Sequence, residues 1–459
     1  MPPQGRVLTP EQLALSEARK RKKAEVAALA EASASLGLHE NFRSLILPRK
    51  FLSESAANMS PLENTVVMSW NVLAQCLVRR ELFPTSDCLK ANQREGMLFE
   101  EITRSGADII CLQEVDRLER LGPVLESANY AFTYSSGRGK KHGCIIAYKK
   151  NAFVKTAERT VFYDDIDIRH EGATERSRKG SSFRTKNIGL ILALQRCGNP
   201  RHSIVVATTH LFWHPKYTYE RARQALILVR SVREFKEENN LQDAPTFIAG
   251  DFNFNPSDAV YSLLVGDTLL SQQETDIKLS HVVHVSLDPT VPISDPKRAA
   301  NDDEEEEGAE ADPENDPDRV IKNARPANLD DGLLEPRELV EMFAQLPSLR
   351  SAYDVWGSDD LKRTFGARVN IPAGRQGRSE PMYTGYTHYW KITLDYIFVM
   401  LPPERTLKVL GILEPPLEQE LGTGLPRKGV CGSDHLSLRA HVAWPLKSNT
   451  PSNNCNTLD

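Results

Sequence analysis

Six short apolar runs, each adjoining a carboxylate, a carboxamide or an imidazole, constrain this chain more than any other feature of its sequence. Thr65–Trp70 runs into Asn71, Asp108–Leu112 into Gln113-Glu114-Val115-Asp116, and Thr246–Ala249 into Gly250-Asp251-Phe252-Asn253. Ser203–Leu211 carries Thr209 and His210 near its end, Leu394–Val399 opens on Leu394-Asp395-Tyr396, and Leu436–Val442 follows Ser433-Asp434-His435. Their short length and β-branched, aliphatic makeup predict buried strands, to which Gly143–Tyr148 and Ile188–Leu194 add two more. Helical patterns over Asn92–Ser105, Tyr217–Glu237 and Pro336–Gln345 fall between them. Strands interleaved with helices predict an α/β or α+β layered domain.

A polar group at the end of a buried strand is stripped of water, which is unfavourable unless it pairs with another such group or with a metal. The donor types here are those phosphodiester hydrolysis needs. Glu114, Asp251, Asn71 and Asp434 offer the hard oxygen ligands that Mg²⁺ prefers, and such a cation neutralises charge on a phosphate and on the attacking or leaving oxygen. His435 and His210 can donate to phosphate oxygens, and Asp395 can fix an imidazole tautomer and raise its basicity. Asp251 with Asn253 suits the holding and activation of water. Singly, these residues have ordinary structural readings: surface charge for Gln113-Glu114, a turn or core residue for Thr209-His210, a strand end for Leu394-Asp395. The whole set in one chain carries the argument. Gly250 predicts a tight turn that presents Asp251.

With 459 residues, 40% of them hydrophobic, the chain can bury a large core. Its net charge of −5 gives no overall basic field, although the acidity is concentrated at Asn301–Glu307. Around this run the apolar pattern collapses into a Pro/Asp/Asn-rich stretch, which predicts a disordered acidic insertion at about 289–330 inside a catalytic domain spanning 61–446. Residues 1–60 read as a basic helical extension: Thr9 caps, Pro10 suits the first turn and Gln12 completes a capping box for a helix to about Leu38. Its cluster Arg19–Lys23 fits RNA binding, a nuclear address or a solvated helix face. Residues 447–459 read as a flexible tail. Seven scattered cysteines, none in a C-x-x-C arrangement, argue against a disulfide framework or zinc site and for a reducing compartment. With no membrane-length apolar run and no signal-type segment, the expected location is cytoplasmic or nuclear, with no membrane partner.

The ordered series Asn71, Gln113-Glu114, Thr209-His210, Gly250-Asp251-Phe252-Asn253, Leu394-Asp395-Tyr396 and Ser433-Asp434-His435 resembles the endonuclease/exonuclease/phosphatase superfamily, from about Leu62 to Trp444. The resemblance implies an α+β fold, a four-layer α/β/β/α sandwich of two mixed β-sheets flanked by helices. It implies Glu114 as the principal ligand of Mg²⁺, for which Mn²⁺ could substitute, with Asn71 helping and Asp434 near the metal. It further implies Asp251 and Asn253 ordering the nucleophilic water, Asp395 bonded to His435, and His210 on the scissile phosphate. Thr209-His210-Leu211-Phe212-Trp213-His214-Pro215 and Pro381-x-Tyr383-Thr384-x-Tyr386-Thr387 are similar to runs of the deadenylase, nocturnin and Ngl branch. That likeness implies Trp390, five residues before Asp395, stacking on a substrate base, with Pro215 lining the same pocket; a core tryptophan is the alternative. Arg184, Lys186 and the Gly137–His142 loop suit contacts to an RNA backbone, and surface solvation explains such residues equally well.

Two positions depart from the branch: Gly432 where deadenylases usually carry proline, and Trp70 where they often carry tyrosine. There is no leucine-rich-repeat docking module, and the basic N-terminus looks like that of the Ngl-type enzymes. The resulting expectation is a Mg²⁺-dependent 3′-5′ exonuclease of single-stranded RNA, acting on poly(A) or rRNA 3′ ends. The alternatives are a nocturnin-like 2′-phosphatase acting on NADP(H) and a catalytically inactive RNA-binding protein on the same fold.

Overall fold

Side chains alternate between the two faces of a strand, so odd and even positions sort into different layers. The structure, a computed structural model, describes residues 45–53, 62–172, 174–198, 202–293, 323–358, 360–402 and 405–445. The expected N-terminal helix, the acidic run and the C-terminal tail lie outside the described residues.

The first part of the chain supplies β1 (Phe51–Ser53), β2 (Leu62–Asn71), β3 (Ile109–Val115), β4 (Tyr130–Ser136) and β5 (Gly143–Lys149). It then crosses to a second sheet through β6 (Phe153–Phe162), β7 (Ile188–Arg196), β8 (Ser203–His210) and β9 (Thr246–Asp251). A small ribbon of β10 (Val282–His284) and β11 (Ala324–Pro326) follows, then β12 (Arg350–Ser351). A second ribbon, β13 (Gly385–Tyr386) and β14 (Lys391–Ile392), leads into β15 (Asp395–Met400). Finally β16 (Lys408–Leu413) and β17 (Leu438–Pro445) return to the first sheet. The two large sheets have the orders β1-β16-β17-β2-β3-β5-β4 and β12-β15-β9-β8-β7-β6.

Each large sheet has one parallel pair at its centre, β2 with β3 and β8 with β9, and antiparallel neighbours around it. A parallel pair needs a crossover. Here the helices Ala91–Arg104 and Thr218–Glu238 lie in those crossovers, one for each sheet.

The layers follow from parity. Val67, Ile109, Cys111 and Ile146 of the first sheet pack with Leu190, Leu192, Val206, Phe247, Ala249 and Ile397 of the second in a dry inter-sheet core. The intervening residues Met68, Trp70, Ile110 and Leu112 face outward onto Ile102, Leu121 and Leu125 of helices. On the other side Ile191, Ala193, Val205, Ala207 and Ile248 meet Leu226 and Val229 of the long helix. Both faces of the central strands are therefore covered, and this is why they read as continuous apolar runs. The result is the expected α+β architecture, with two mixed sheets face to face and helices on the outside.

The described chain reaches further into the expected insertion than its composition suggested. Val282–His284 pairs with Ala324–Pro326, and Val291 is buried. The Arg325 guanidinium bridges Asp288 and Asp331, at 2.7 Å from each. These pairs tie together the two flanks of the expected insertion, and its described residues 289–293 and 323–330 belong to the ordered domain.

Gly250 is also required for a reason other than the turn expected from sequence. It lies inside β9, and a Cβ added to it would sit 2.2 Å from the carbonyl oxygen of Thr209 on β8. Backbone cannot yield as a flexible side chain can. We expect Gly250→Ala to destabilise the protein by about 1–3 kcal/mol, read as a lower denaturation midpoint at unchanged m-value; an unaltered midpoint would refute the steric account.

Candidate functional site

Strand parity also creates the site. On β9 the inward series Phe247, Ala249 ends at Asp251, on β15 the series Val399, Ile397 ends at Asp395, and on β8 the series Val206, Thr208 ends at His210. These three terminal residues are direct cross-strand neighbours, His210 opposite Asp251 and Asp251 opposite Asp395. In the facing sheet β2 brings Asn71 to the same end. The layer just below is already polar, with Gln113 donating to Thr208 across the sheets at 3.0 Å. The inter-sheet core thus runs from hydrocarbon into a cluster of buried ionisable groups.

Glu114 breaks the alternation, which would send it to the outer face after Gln113. A register shift between Leu112 and Val115, together with a φ of 58° at Glu114, turns it back. A left-handed glutamate is uncommon, and such strain persists only where its surroundings hold it in place. The holding contacts are Asn71 Nδ2 to Glu114 Oε1 at 2.7 Å and the Ala74 amide to Oε2 at 2.9 Å.

Asn71 Nδ2 also donates to Asp251 Oδ2 at 2.9 Å, so one amide nitrogen serves two carboxylates. Asp251 accepts a further bond from the Asn253 amide at 3.0 Å, while the Nε2 atoms of His210 and His435 each stand 3.7 Å from its Oδ2. Those last distances are too long for hydrogen bonds. Two bonds to a charged group contribute about 1.5–3 kcal/mol each, against a desolvation penalty of several kcal/mol for a buried ion. Burial, reinforced by the charge of Asp395, accordingly raises the Asp251 carboxyl to about 6, with His435, His210 and Asn71 opposing the rise. A cluster in this condition has use for more positive charge. Among the described residues two sets of metal-competent ligand atoms lie within 4.8 Å of one another, Glu114–His210–Asp251 and Asp251–Asp395–His435, and they share Asp251.

His435 Nδ1 is 2.8 Å from Asp395 Oδ2, and Asp395 is fully buried with its Oδ1 lacking a hydrogen-bond partner. Burial by itself would depress the imidazole's pKa. The charges of Asp395, Asp251 and Asp434 outweigh it and hold the pKa well above the ordinary value of 6.5.

The remaining expected residues are distributed around this centre. Asp434 is half-buried, accepts a 3.3 Å bond from Ser433 Oγ, and belongs to neither of the two ligand sets. Asn253, at φ 55°, commits its Nδ2 to the Leu211 carbonyl at 2.9 Å. Trp390 is half-buried on the turn between β13 and β14, whose Gly385 bridges to His435. Pro215 is exposed on a loop whose carbonyls at His214 and Pro215 accept from the Arg221 guanidinium. Arg184 is exposed on the 181–187 strap, where Glu220 accepts from the Ser182 amide and Gln224 donates to Thr185 Oγ1.

Sequence reasoning missed several supports. Arg94, buried within the helix Ala91–Arg104, donates to the Val72, Leu73 and Gly432 carbonyls at 2.6 Å each and so ties the Asn71 loop to the His435 loop. Its signal was an arginine in register with the apolar face that carries Met97 and Ile102. That contact also gives Gly432 a role, since a Cβ there would meet Arg94 O at 3.0 Å and the Leu98 side chain at 3.1 Å. Trp70 is buried, and its indole donates to the His435 carbonyl at 2.7 Å. His142, noticed in the sequence only as the end of a basic loop, is buried with its ring 6.4 Å from that of His210.

A raised imidazole pKa that depends on Asp395 is measurable in metal-free protein. By linkage, the stability His435 contributes is fully present below 6.5 and is lost as pH rises through its higher folded value. In Asp395→Asn the anion that favours the imidazolium is gone while burial remains, so the titration midpoint of the His435 Cε1 proton should move down. An unmoved midpoint in its NMR titration would remove Asp395 as the cause.

Comparison with known proteins agrees with this geometry. Residues 68–435 match the endonuclease/exonuclease/phosphatase family. The probable RNA exonuclease C9B6.11c of Schizosaccharomyces pombe is 31% identical, across 95% of this chain and 88% of its own. The RNA exonuclease NGL2 of Saccharomyces cerevisiae is 28% identical over 85% of this chain and 80% of its own. Among solved structures, ANGEL2, described as a 2′,3′-cyclic phosphatase in complex with adenosine-2′,3′-vanadate, superposes with a TM-score of 0.56 at 23% identity. That alignment covers 87% of this chain and all of ANGEL2, and at such identity it speaks for the fold alone. Enzymes of this family generally depend on a divalent metal, and the clustered acidic and histidine side chains here are of the kind that could hold one. The chain belongs to the endonuclease/exonuclease/phosphatase family.

Proposed function

We propose that the protein is a Mg²⁺-dependent exonuclease that hydrolyses single-stranded RNA from its 3′ end and releases 5′-nucleotides. The observation that carries this reading is one buried carboxylate, Asp251, flanked by two imidazoles and joined through a single amide to the strained Glu114. The RNA exonuclease relatives support the substrate class. The reading goes with a location in the cytoplasm or nucleus, and among the described residues no helix is long and apolar enough to cross a membrane.

The residues fit a hard cation. Glu114 and Asp251 supply carboxylate oxygens and Asn71 a carboxamide, donors suited to Mg²⁺, with Mn²⁺ as a substitute; Asp434 adds negative charge nearby. When bound, such a cation neutralises charge on the phosphate and on the attacking or leaving oxygen. The chain's own groups account for the rest. Asp251 accepts a proton from the attacking water, which the Asn253 turn, its amide bonded to Asp251, helps to orient. His435, kept protonated by Asp395, donates to a phosphate oxygen and favours the charge that develops there. His210 contacts the same phosphate from the other side of Asp251. Trp390, on the turn between β13 and β14, stacks on a base, with Pro215 lining the same pocket and Arg184 near the backbone.

Labelled oligo(A), mixed-sequence RNA and NADP incubated with Mg²⁺ separate the readings. Ladders shortening from the 3′ end support the exonuclease. Phosphate release from NADP with intact RNA favours a 2′-phosphatase, and gel retardation without cleavage favours an RNA-binding protein on a nuclease fold. Glu114→Gln keeps the side chain's shape and should lower kcat by about 100-fold or more with the circular dichroism spectrum unchanged; full activity would remove Glu114 from the metal site. Trp390→Ala should raise KM for oligo(A) about 5- to 150-fold, the range of a base stack, whereas equal KM values would reject the stacking role.

A further inference from the structure

We infer that two loops on the His210 side of the site form a single cationic wall that holds the phosphates of an RNA strand next to the one attacked, so that the site is built for a polynucleotide and not for a dinucleotide. The inference rests on the hydrolase reading above and makes its substrate class specific.

The loops are Gly137–His142, between β4 and β5, and Arg184–Asn187, at the entry to β7. They are fastened to each other. A Cβ on Gly137 would lie 1.8 Å from the Lys186 carbonyl oxygen, so the two backbones touch at a point only glycine allows. Lys140 Nζ donates to Asn187 Oδ1 at 2.6 Å. Lys186 is held at a φ of 55° while its amide and that of Thr185 donate to the Asp164 carboxylate, at 2.7 and 3.2 Å. A left-handed lysine fixed from three directions is a local conformation maintained by its surroundings, which is common where a surface must keep its shape.

The wall gathers Arg138, Lys140, Lys141, Arg184 and Lys186 in a chain whose net charge is −5. Arg138, Lys141 and Arg184 are exposed. Asp165 pairs with Arg138 at 2.8 Å, and Asp164 has both oxygens engaged by the Thr185 and Lys186 amides. Among these named groups, five cations stand with two carboxylates.

Its inner end is His142, buried, with its ring 6.4 Å from His210. The next residue, Gly143, pairs with Val115 beside Glu114. The cations thus begin where the metal-competent cluster ends. A dinucleotide whose phosphates occupy that cluster would leave the wall largely unused. A strand with a phosphate at every nucleotide would engage it, and each such contact adds sequence-independent, salt-sensitive affinity. The ribbon that carries Trp390 is bridged to His435 through Gly385, and His435 and His210 both approach Asp251, so the base-stacking turn and the phosphate wall flank the site from two sides.

The test compares wild type with Arg138→Glu/Lys141→Glu from one loop and Arg184→Glu from the other. Two readouts are used: affinity for a 12-nucleotide oligo(A) by fluorescence anisotropy in EDTA, and the ratio of kcat/KM for that RNA to kcat/KM for the dinucleotide ApA in Mg²⁺. We expect the double variant to bind the 12-mer at least about 10-fold more weakly and to lower the ratio by a similar factor, with the slope of log affinity against log salt reduced by about two. Arg184→Glu should act in the same direction with a slope change of about one. The inference is overturned if affinity and ratio are unchanged, if only one loop matters, or if turnover of both substrates falls in parallel. Wild type that cleaves neither substrate refutes the hydrolase reading instead; the EDTA affinities then still decide the wall, with loss on charge reversal supporting it and no loss overturning it.

Discussion

Desolvation of charge at the end of a dry two-sheet core is the constraint on which the candidate site depends. The inward-facing series on β9 and β15 are apolar until their last positions, Asp251 and Asp395, and that on β8 passes from Val206 through Thr208 to His210. Isolated, each buried ion would carry a penalty of several kcal/mol. Together the groups offset part of it: Asn71 serves two carboxylates, and Asp395 serves His435. What is left appears as displaced proton affinities, Asp251 shifted up by burial and His435 shifted up by three surrounding carboxylates. Stability alone gives no reason to leave Asp395 Oδ1 without a partner in such a place. A cluster that is electrostatically unfinished in the folded chain is one suited to a cation and an anionic substrate.

Topology explains how residues so far apart in sequence meet. Two parallel pairs, each with a helix in its crossover, direct four strand ends, Asn71, Glu114, His210 and Asp251, to one edge of the sandwich. The antiparallel neighbours β15 and β17 begin at that same edge, so they contribute from their starts, Asp395 within β15 and His435 just before β17. Parity then decides which side chains point between the sheets. Glu114 alone lies out of phase, and a bulge with a left-handed residue corrects it. Arg94 fastens the loops carrying Asn71 and His435 from behind, donating to three of their carbonyls.

Much of this was legible in the sequence because it depends on local pattern. The eight expected strands are present, since central strands covered on both faces must be apolar throughout, and the three helices expected among the described residues lie within a residue or so of their predicted ends. The weaker elements were hidden for the same reason. β4 and β6 are edge strands, with mixed burial and many polar residues, and leave no apolar run to find. The convergence of Asn71, Glu114, His210, Asp251, Asp395 and His435 was suggested by their shared position at strand ends and by family resemblance. The supporting contacts were not legible: the role of Arg94 depends on carbonyls from loops elsewhere in the chain, and that of Gly250 on a neighbouring strand's oxygen. Nor does anything local announce that Asp288 and Asp331, two acids flanking the low-complexity stretch, will share Arg325.

The rim is organised as firmly as the centre, and this bears on where substrate choice resides. The first turns of the helix Thr218–Glu238 fix two loops at once. Glu220 and Gln224 hold Ser182 and Thr185 of the strap bearing Arg184, while Gln224 also accepts from the Phe212 amide and Arg221 takes the His214 and Pro215 carbonyls. Glu220 and Arg223, both fully buried, pair within that turn at 3.1 Å. Exchanging such an ion pair for apolar residues often changes stability little, so its worth lies more in the geometry it imposes than in net folding energy. A strap and a loop fixed to the same helical turn keep Arg184 and Pro215 in a set relation to His210 before any ligand arrives, and preorganisation of that kind lowers the ordering penalty of binding. Proteins that share the central cluster can therefore differ in what they accept through their rims. In this chain the rim combines a half-buried tryptophan on a turn, an exposed proline and exposed cations, and it is on these that the proposed choice of a nucleotide strand over a single small ester rests.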